Sequence, residues 1–289
     1  MARLVCWYSH GAASLIAAKK AIELAPERYP NHEIVVACIY IKDEYHEPER
    51  DSIIEKFLGH KITYLRNEKY DASVDKVIEK TKYMAGVYGA RCTKELKKQV
   101  RYDWQKFDDI HVFGMTSEEE HRIDRMLDSE PELEIFAPLI ELSMNKTDCF
   151  HVMQDAGIEL PMMYKLGYHN NNCIGCLKAV GSGYWNKIRK DFPEVFERRS
   201  RQEEMLNTAL CSMSRDKFMR DYPEHYKRMC NEWEDRFKSS KQKRKGGIIE
   251  YKTSLIPLRF PPEDAGDHKD LDIGDCGFVC ERKQINSFD

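Results

Sequence analysis

The chain has 289 residues, with 46 lysines and arginines against 49 aspartates and glutamates and a formal net charge of −3. That near balance excludes a global attraction to nucleic acid or to an anionic membrane, so any polyanion site has to be local. No apolar run reaches 18 residues and the first residues lead directly into a short apolar stretch, which gives the expectation of a cytoplasmic protein without a leader or membrane span.

Taken in chain order, the first half alternates short apolar runs with amphipathic helical patterns, as stacked βαβ units do. Residues 3–7 form the first expected strand and 12–24 the first helix, ended by Pro26. Residues 33–41 hold a continuous apolar run bounded by charges, as in a strand covered on both faces, and are expected to form a central strand. A helix over 48–58, a strand over 61–65, a helix over 73–84 and a fourth strand over 110–114 follow. Residues 135–140 read as an edge strand interrupted by Pro138, and 146–156 as a helix capped by Gly157. A loop rich in Gly, Pro and Asn then leads through Asn170, Asn171 and Asn172 to Cys173. Helical spacing returns over 184–190, 193–206 and 215–237, where Pro223 divides the last stretch into two helices.

The expected fold is α/β, a Rossmann-like parallel sheet flanked by helices, with a mainly helical C-terminal region and an irregular tail. Its divisions are a nucleotide-binding domain over 1–160, a cysteine-motif loop and helical region over 161–237, and a basic linker with a cysteine-bearing tail over 238–289. The basic run at 238–245 is read as solvated surface in preference to a nucleic-acid contact.

The segment Ser9-His10-Gly11-Ala12-Ala13-Ser14 joins the first strand to the first helix, at the carboxyl end of the sheet where such folds bind ligands. Backbone N–H groups there attract phosphate oxygens, and Gly11 allows a close approach. Small residues opening a helix are also ordinary capping. His10 is the one histidine placed to touch a phosphate, while His46, His111, His121 and His169 read as surface or supporting residues, and Trp7, Trp104 and Trp185 as core.

Ten cysteines without an export signal are read as thiols, metal ligands or catalytic groups in preference to a disulfide framework. Cys6, Cys38, Cys149, Cys211 and Cys230 are expected to be small buried hydrophobes. The pair in Cys173-Ile174-Gly175-Cys176 suits zinc, an iron–sulfur cluster or a redox dithiol alike.

The loop resembles that of the phosphoadenosine phosphosulfate reductase and ATP pyrophosphatase (PP-loop, adenine nucleotide alpha-hydrolase) superfamily, whose first loop reads Ser-x-Gly-x-x-Ser/Ala or Ser-Gly-Gly-x-Asp-Ser. It departs from the second form at His10 and Ala13. The resemblance extends over roughly residues 3 to 200. The run from Ile41 to Glu44 is similar to the family's acidic stop beside the adenosine, implicating Asp43. The stretch from Gly114 to Arg122 is similar to the glycine, polar, acidic and arginine run after the fourth strand. Pro138-Leu139-Ile140, Lys146-Thr147-Asp148, Pro161, Tyr164, Gly167 and the Cys-x-x-Cys repeat the order of phage and bacterial reductase-like members.

The resemblance implies nucleotide binding by Ser9, His10, Gly11, Ala12, Ser14, Asp43, Arg91, Lys97, Gly114 and Arg122. Arg91, Lys94, Lys97 and Lys98 surround Cys92, where they would lower its thiol pKa and attract a sulfate or phosphate; the alternative is a solvated basic helix start. Cys92, Cys173 and Cys176 form the implied ligand set of a three-cysteine 4Fe-4S cluster, with Zn2+ as the other metal. Cys276 or Cys280 supplies a fourth ligand, or a tail thiolate that attacks the sulfur of the sulfonucleotide. Asp275-Cys276-Gly277 is similar to the reductases' Glu-Cys-Gly tail, although Val279 stands where they carry histidine.

Three functions follow as expectations. One is a reductase that converts phosphoadenosine or adenosine phosphosulfate (PAPS or APS) to sulfite, with a dithiol donor such as thioredoxin. Another is an adenylating sulfurtransferase that uses ATP with Mg2+ on a nucleobase or nucleic-acid acceptor. The third is a non-catalytic nucleotide-binding module with structural zinc.

Overall fold

In a computed structural model the chain is described at residues 1–86, 89–212, 215–238, 243–244, 247–248 and 255–266. Two compact units divide it, the first taking Met1–Thr81 and Gly89–Cys173, the second the described parts of Lys82–Tyr88 and Ile174–Ile273. The first unit therefore includes Asn170, Asn171 and Asn172.

The first unit runs β1 (Arg3–Tyr8), α1 (Ala12–Arg28), β2 (Glu33–Ile39), α2 (Pro48–Leu58), β3 (Ile62–Leu65) and α3 (Val74–Thr81). A π-helical segment, Thr93–Lys98, continues into α4 (Gln99–Trp104). Then come β4 (Ile110–Val112), α5 (Glu120–Ser129), β5 (Glu134–Phe136), α6 (Pro138–Glu141), α7 (Lys146–Asp155) and α8 (Met162–Lys165). The five strands pair in parallel in the order β3-β2-β1-β4-β5. This is the expected Rossmann-like sheet flanked by helices.

β2 is an interior strand between β3 and β1, as its apolar run suggested, and the middle of the sheet belongs to β1, all six residues of which are buried. The period of two explains why. Leu4, Cys6 and Tyr8 enter a core with the alanines of α1, while Val5 and Trp7 enter another with Val100, Phe113, Ile123 and Met126. β2 starts exposed at Glu33 and becomes fully buried only from Val36. Cys6 and Val36 share one register position, with Val112 opposite on β4.

Two prolines act differently from expectation. Pro26 does not end α1, which continues to Arg28, because a proline in the last turn forfeits only one ladder bond and Tyr29 N–H still closes on the Ala25 carbonyl at 2.8 Å. Pro138 does not interrupt a strand. β5 has already ended at Phe136, and Pro138 takes the first position of α6, where its missing N–H costs nothing. The expected helix over 48–58 has the bounds of α2, and Asn145 caps α7 through a reciprocal box with Asp148, at 3.0 and 2.7 Å.

The second unit contains α9 (Ser182–Asp191), α10 (Pro193–Leu206), α11 (Arg215–Asp221) and α12 (Pro223–Lys238), the last two divided at Pro223 as expected. A short antiparallel pair joins β6 (Cys211–Ser212) to β7 (Leu255–Ile256). Buried Glu203 ties both flanks of that pair, accepting the N–H of Leu210 at 2.5 Å and of Leu258 at 2.8 Å. Phe218, Met229, Ile256, Phe260 and Ala265 form its core. Among the described residues no helix is long and apolar enough to cross a membrane.

Candidate nucleotide site

In the strand order of this sheet, β1 sends its chain onward to one side while its other neighbour, β4, arrives later. The carboxyl ends of β1 and β4 therefore flank the crevice where open α/β sheets bind ligands. The loop from Ser9 to Ser14 lies there. Ser14 Oγ accepts the Ser9 N–H at 3.0 Å and lies 3.1 Å from the Ser9 hydroxyl, while donating to the Gly11 carbonyl at 3.0 Å. These bonds spend both hydroxyls on shaping the loop. What they leave for a ligand is the helix start: Gly11 offers no side-chain cap to α1, whose first ladder bond runs from Leu15 to Gly11 at 3.1 Å. An uncapped start of a 17-residue helix presents N–H groups and a partial positive charge.

Gly114, at the end of β4, packs directly on this turn. A Cβ there would lie 2.4 Å from Ser14 Cα and 2.5 Å from its N, so glycine is required by close approach of backbone to backbone.

A cavity opens at this point. Ser9, Gly11, Ser14 and Gly114 form its loop side, Lys97 and Arg122 bring positive charge, and Trp7, Tyr8, Ile39, Phe113 and Met115 supply an apolar and aromatic wall. Asn171 and Asn172 complete it. Among the described residues the lining carries two cations and no carboxylate, which makes it a place for an anion with an apolar part.

The cations reach it by different routes. Lys97 comes from the π-helical segment, is 7% exposed, and lies 3.2 Å from the carboxylate of Glu44. Segments of this geometry are rare and concentrate at functional sites. Burial works against the charge of Glu44, yet Lys97 and then His10 hold its carboxyl below the ordinary range. Arg122 rides on the first turn of α5 and is hydrogen-bonded to Glu119, which itself closes a capping box with Thr116.

His10 sits in the left-handed region, at φ 58°, and Asn171 Nδ2 donates to its carbonyl at 3.1 Å. That contact stabilises a turn which a non-glycine residue adopts only at some cost. The imidazole points to Glu44 at 3.8 Å, Cys38 at 3.7 Å and Tyr64 at 3.3 Å, and is not among the cavity's lining residues. Burial pulls its pKa down and its neighbours raise it above the ordinary range; the Cys38 thiol is itself pushed up by burial and stays protonated at neutral pH, so the negative charge that holds the ring is that of Glu44. The positively charged ring therefore serves Glu44.

The structure distributes the other expected residues as follows. Ala12 opens α1 as its first buried residue. Asp43 is outside the lining and accepts the Val74 N–H at 2.8 Å, at the start of α3; its neighbour Glu44 is the acid beside Lys97. Arg91 pairs with Glu95 at 2.8 Å and is likewise outside the lining. Cys92 is half-buried, and Cys173 is buried with its Sγ 4.0 Å from Glu44 Oε1. Cys176, buried in the second unit, donates its N–H to the Tyr184 hydroxyl at 3.0 Å. Gly175, between the two cysteines, takes a φ of +66°, the left-handed region that glycine adopts without steric cost.

Among the described residues no group of three or more histidine, cysteine, aspartate and glutamate side chains is arranged to hold a metal ion. Cys276 and Cys280 lie outside the described residues, as do the side chains of the basic stretch at 238–245. Cys6, Cys38, Cys149 and Cys211 are buried as expected, and Cys230 is half-buried.

Of its two expected roles, surface or supporting, His111 takes the second, behind the cavity residues Trp7 and Phe113. It is fully buried on β4, stacked between Trp7 and Phe113 with ring centroids 6.1 and 5.9 Å away, and its Nδ1 accepts the Trp7 indole N–H at 3.0 Å. Burial, followed by Arg101, lowers its pKa to about 4. A histidine held neutral in the fold but titrating near 6.5 when unfolded costs stability as pH falls through that interval. Relative to His111→Asn, the wild type is expected to lose roughly 2 kcal/mol between about pH 6.5 and 5, measured by urea unfolding at each pH. An unchanged difference between the two proteins would show that the imidazole is not held neutral.

No family model matches the chain, and no solved structure matches it. Among curated proteins it is similar to an argininosuccinate synthase of Methanothermobacter thermautotrophicus, 24% identical over 148 residues, which are 48% of this chain and 37% of that protein. The chain thus matches little more than a third of that relative's length. That relative is a PP-loop ATP pyrophosphatase superfamily member, so the similarity supports the superfamily that the first loop resembles and does not extend to its reductase branch.

Proposed function

We propose that the protein is a PP-loop-type enzyme that uses ATP, holding its phosphates at the start of α1 and cleaving between the α and β phosphorus atoms. The observation that carries this reading is the cavity itself, where an uncapped helix start meets Lys97 and Arg122 with no carboxylate in the lining. Support also comes from the similarity to a superfamily member.

In such a reaction an oxygen of the acceptor attacks the α-phosphorus. The α–β bridging P–O bond breaks, pyrophosphate leaves with the electron pair, and the acceptor oxygen carries AMP. Lys97 and Arg122 offset charge on the phosphate oxygens, and the N–H groups at the start of α1 hold them in place. Attachment of AMP converts a poor leaving oxygen into a good one, ready for displacement by a second nucleophile. The nature of that nucleophile, sulfur or nitrogen, decides whether the enzyme is a sulfurtransferase or a ligase.

Competitive binding tests the reading. ATP with Mg2+ is expected to bind in calorimetry and to be displaced by AMP and pyrophosphate added together. If phosphoadenosine phosphosulfate binds at least tenfold more tightly than ATP, the site belongs to a sulfonucleotide reductase instead, with its nucleophile sought at Cys276 or Cys280.

A further inference from the structure

The buried amide of Asn171 has a property that phosphate binding does not use. Its Nδ2 donates to the His10 carbonyl at 3.1 Å, which fixes the orientation of the amide, since the opposite flip would set two acceptors against each other. The Oδ1 is then left buried with no hydrogen-bond partner among the described residues, in a side chain 8% exposed that lines the cavity. Buried carbonyl oxygens are almost always paired, and an unpaired one that faces a cavity is suited to a donor that the cavity admits. Phosphate and sulfate oxygens at neutral pH are acceptors and cannot supply it.

The same cavity carries the apolar wall of Ile39, Phe113 and Met115, suited to the nucleoside end of a nucleotide. We infer that Asn171 reads a hydrogen-bond donor on the nucleoside, an exocyclic amine of the base or a hydroxyl of the ribose, and so determines which nucleotide the site accepts. This rests on the nucleotide reading given above. One side chain thereby does two things: its Nδ2 holds the loop that faces the phosphates, and its Oδ1 selects the nucleoside.

Calorimetry with ATP, N6,N6-dimethyl-ATP, 2′-deoxy-ATP and 3′-deoxy-ATP separates the candidate donors. On the wild type, one analogue is expected to bind about tenfold or more weakly than ATP, because it leaves Oδ1 unpaired. Asn171→Ala is expected to bind ATP and that analogue alike. A merely structural Asn171 would weaken all four nucleotides equally and leave their ratios untouched. Equal affinities for all four on the wild type, or discrimination that survives in Asn171→Ala, would overturn the inference. The wild-type comparison depends on no variant folding. If ATP itself fails to bind, the nucleotide reading falls as well; if ATP binds and the analogues match it, only the role of Asn171 falls.

Discussion

Lys97→Met is expected to abolish measurable ATP binding and to destabilise the protein by about 3 kcal/mol, the largest combined effect of any single substitution in the site. Lys97 and Glu44 are both buried, 3.2 Å apart, and the charge of Glu44 depends first on Lys97 and then on His10. Without the lysine, a buried carboxylate keeps His10 as a charged partner and the Cys173 thiol at 4.0 Å, and either it stays ionised at a high cost or takes up a proton. Glu44→Gln in the same background removes that burden, so the double variant should recover most of the stability. It should not recover binding, because the cavity still lacks one of its two cations. Urea unfolding and calorimetry on the three proteins separate the two effects. Recovery of ATP binding in the double variant would show that Lys97 acts only as the counterion of Glu44.

Gly114→Ala is expected to cost about 2–3 kcal/mol and to weaken ATP binding together with stability. The added Cβ meets the backbone of Ser14 at 2.4 and 2.5 Å, atoms of a helix start that cannot swing aside as a side-chain tip could. Relief has to come from moving the end of β4 away from α1, which opens the Ser9–Ser14 turn. Gly59→Ala is the control. That residue has a φ of +72° and open space for 4 Å around the position an alanine methyl would take, so the cost there is backbone strain alone, about 1 kcal/mol, without effect on binding. Equal losses in the two variants, with ATP affinity unchanged in both, would remove the close approach at Gly114 from the site.

Much of the first unit was legible because its signals are local. The change from a short apolar run at residues 3–7 to small residues and a helical pattern from Ala12 places the β1–α1 turn from sequence alone, and Pro48 at the start of α2 marks that helix. The candidate site was legible in part for the same reason, through Ser9, Gly11, Ser14, Lys97, Gly114 and Arg122, which the fold brings to one cavity.

The remainder depended on directions that spacing does not encode. Of the adjacent acids Asp43 and Glu44, one caps α3 and the other pairs with Lys97; which does which follows from how the chain leaves β2. The π-helical segment rotates Lys97 inward while Arg91 pairs with Glu95, a difference that a plain helical pattern over 91–98 hides. The three asparagines before Cys173 read as turn formers, yet all are buried, and that concentration of amides was the available signal for a polar recognition loop. His111 was unreadable as core because its acceptor nitrogen is matched by Trp7, 104 residues away in sequence.

Hydrogen exchange with and without ATP tests the central claim most directly, because it reads the backbone N–H groups that are assigned to the phosphates. Residues 9–16 and 112–116 are expected to exchange more slowly when ATP is bound, and Lys97→Met is expected to remove that protection. Protection elsewhere with those two segments unchanged would contradict a phosphate site at the start of α1.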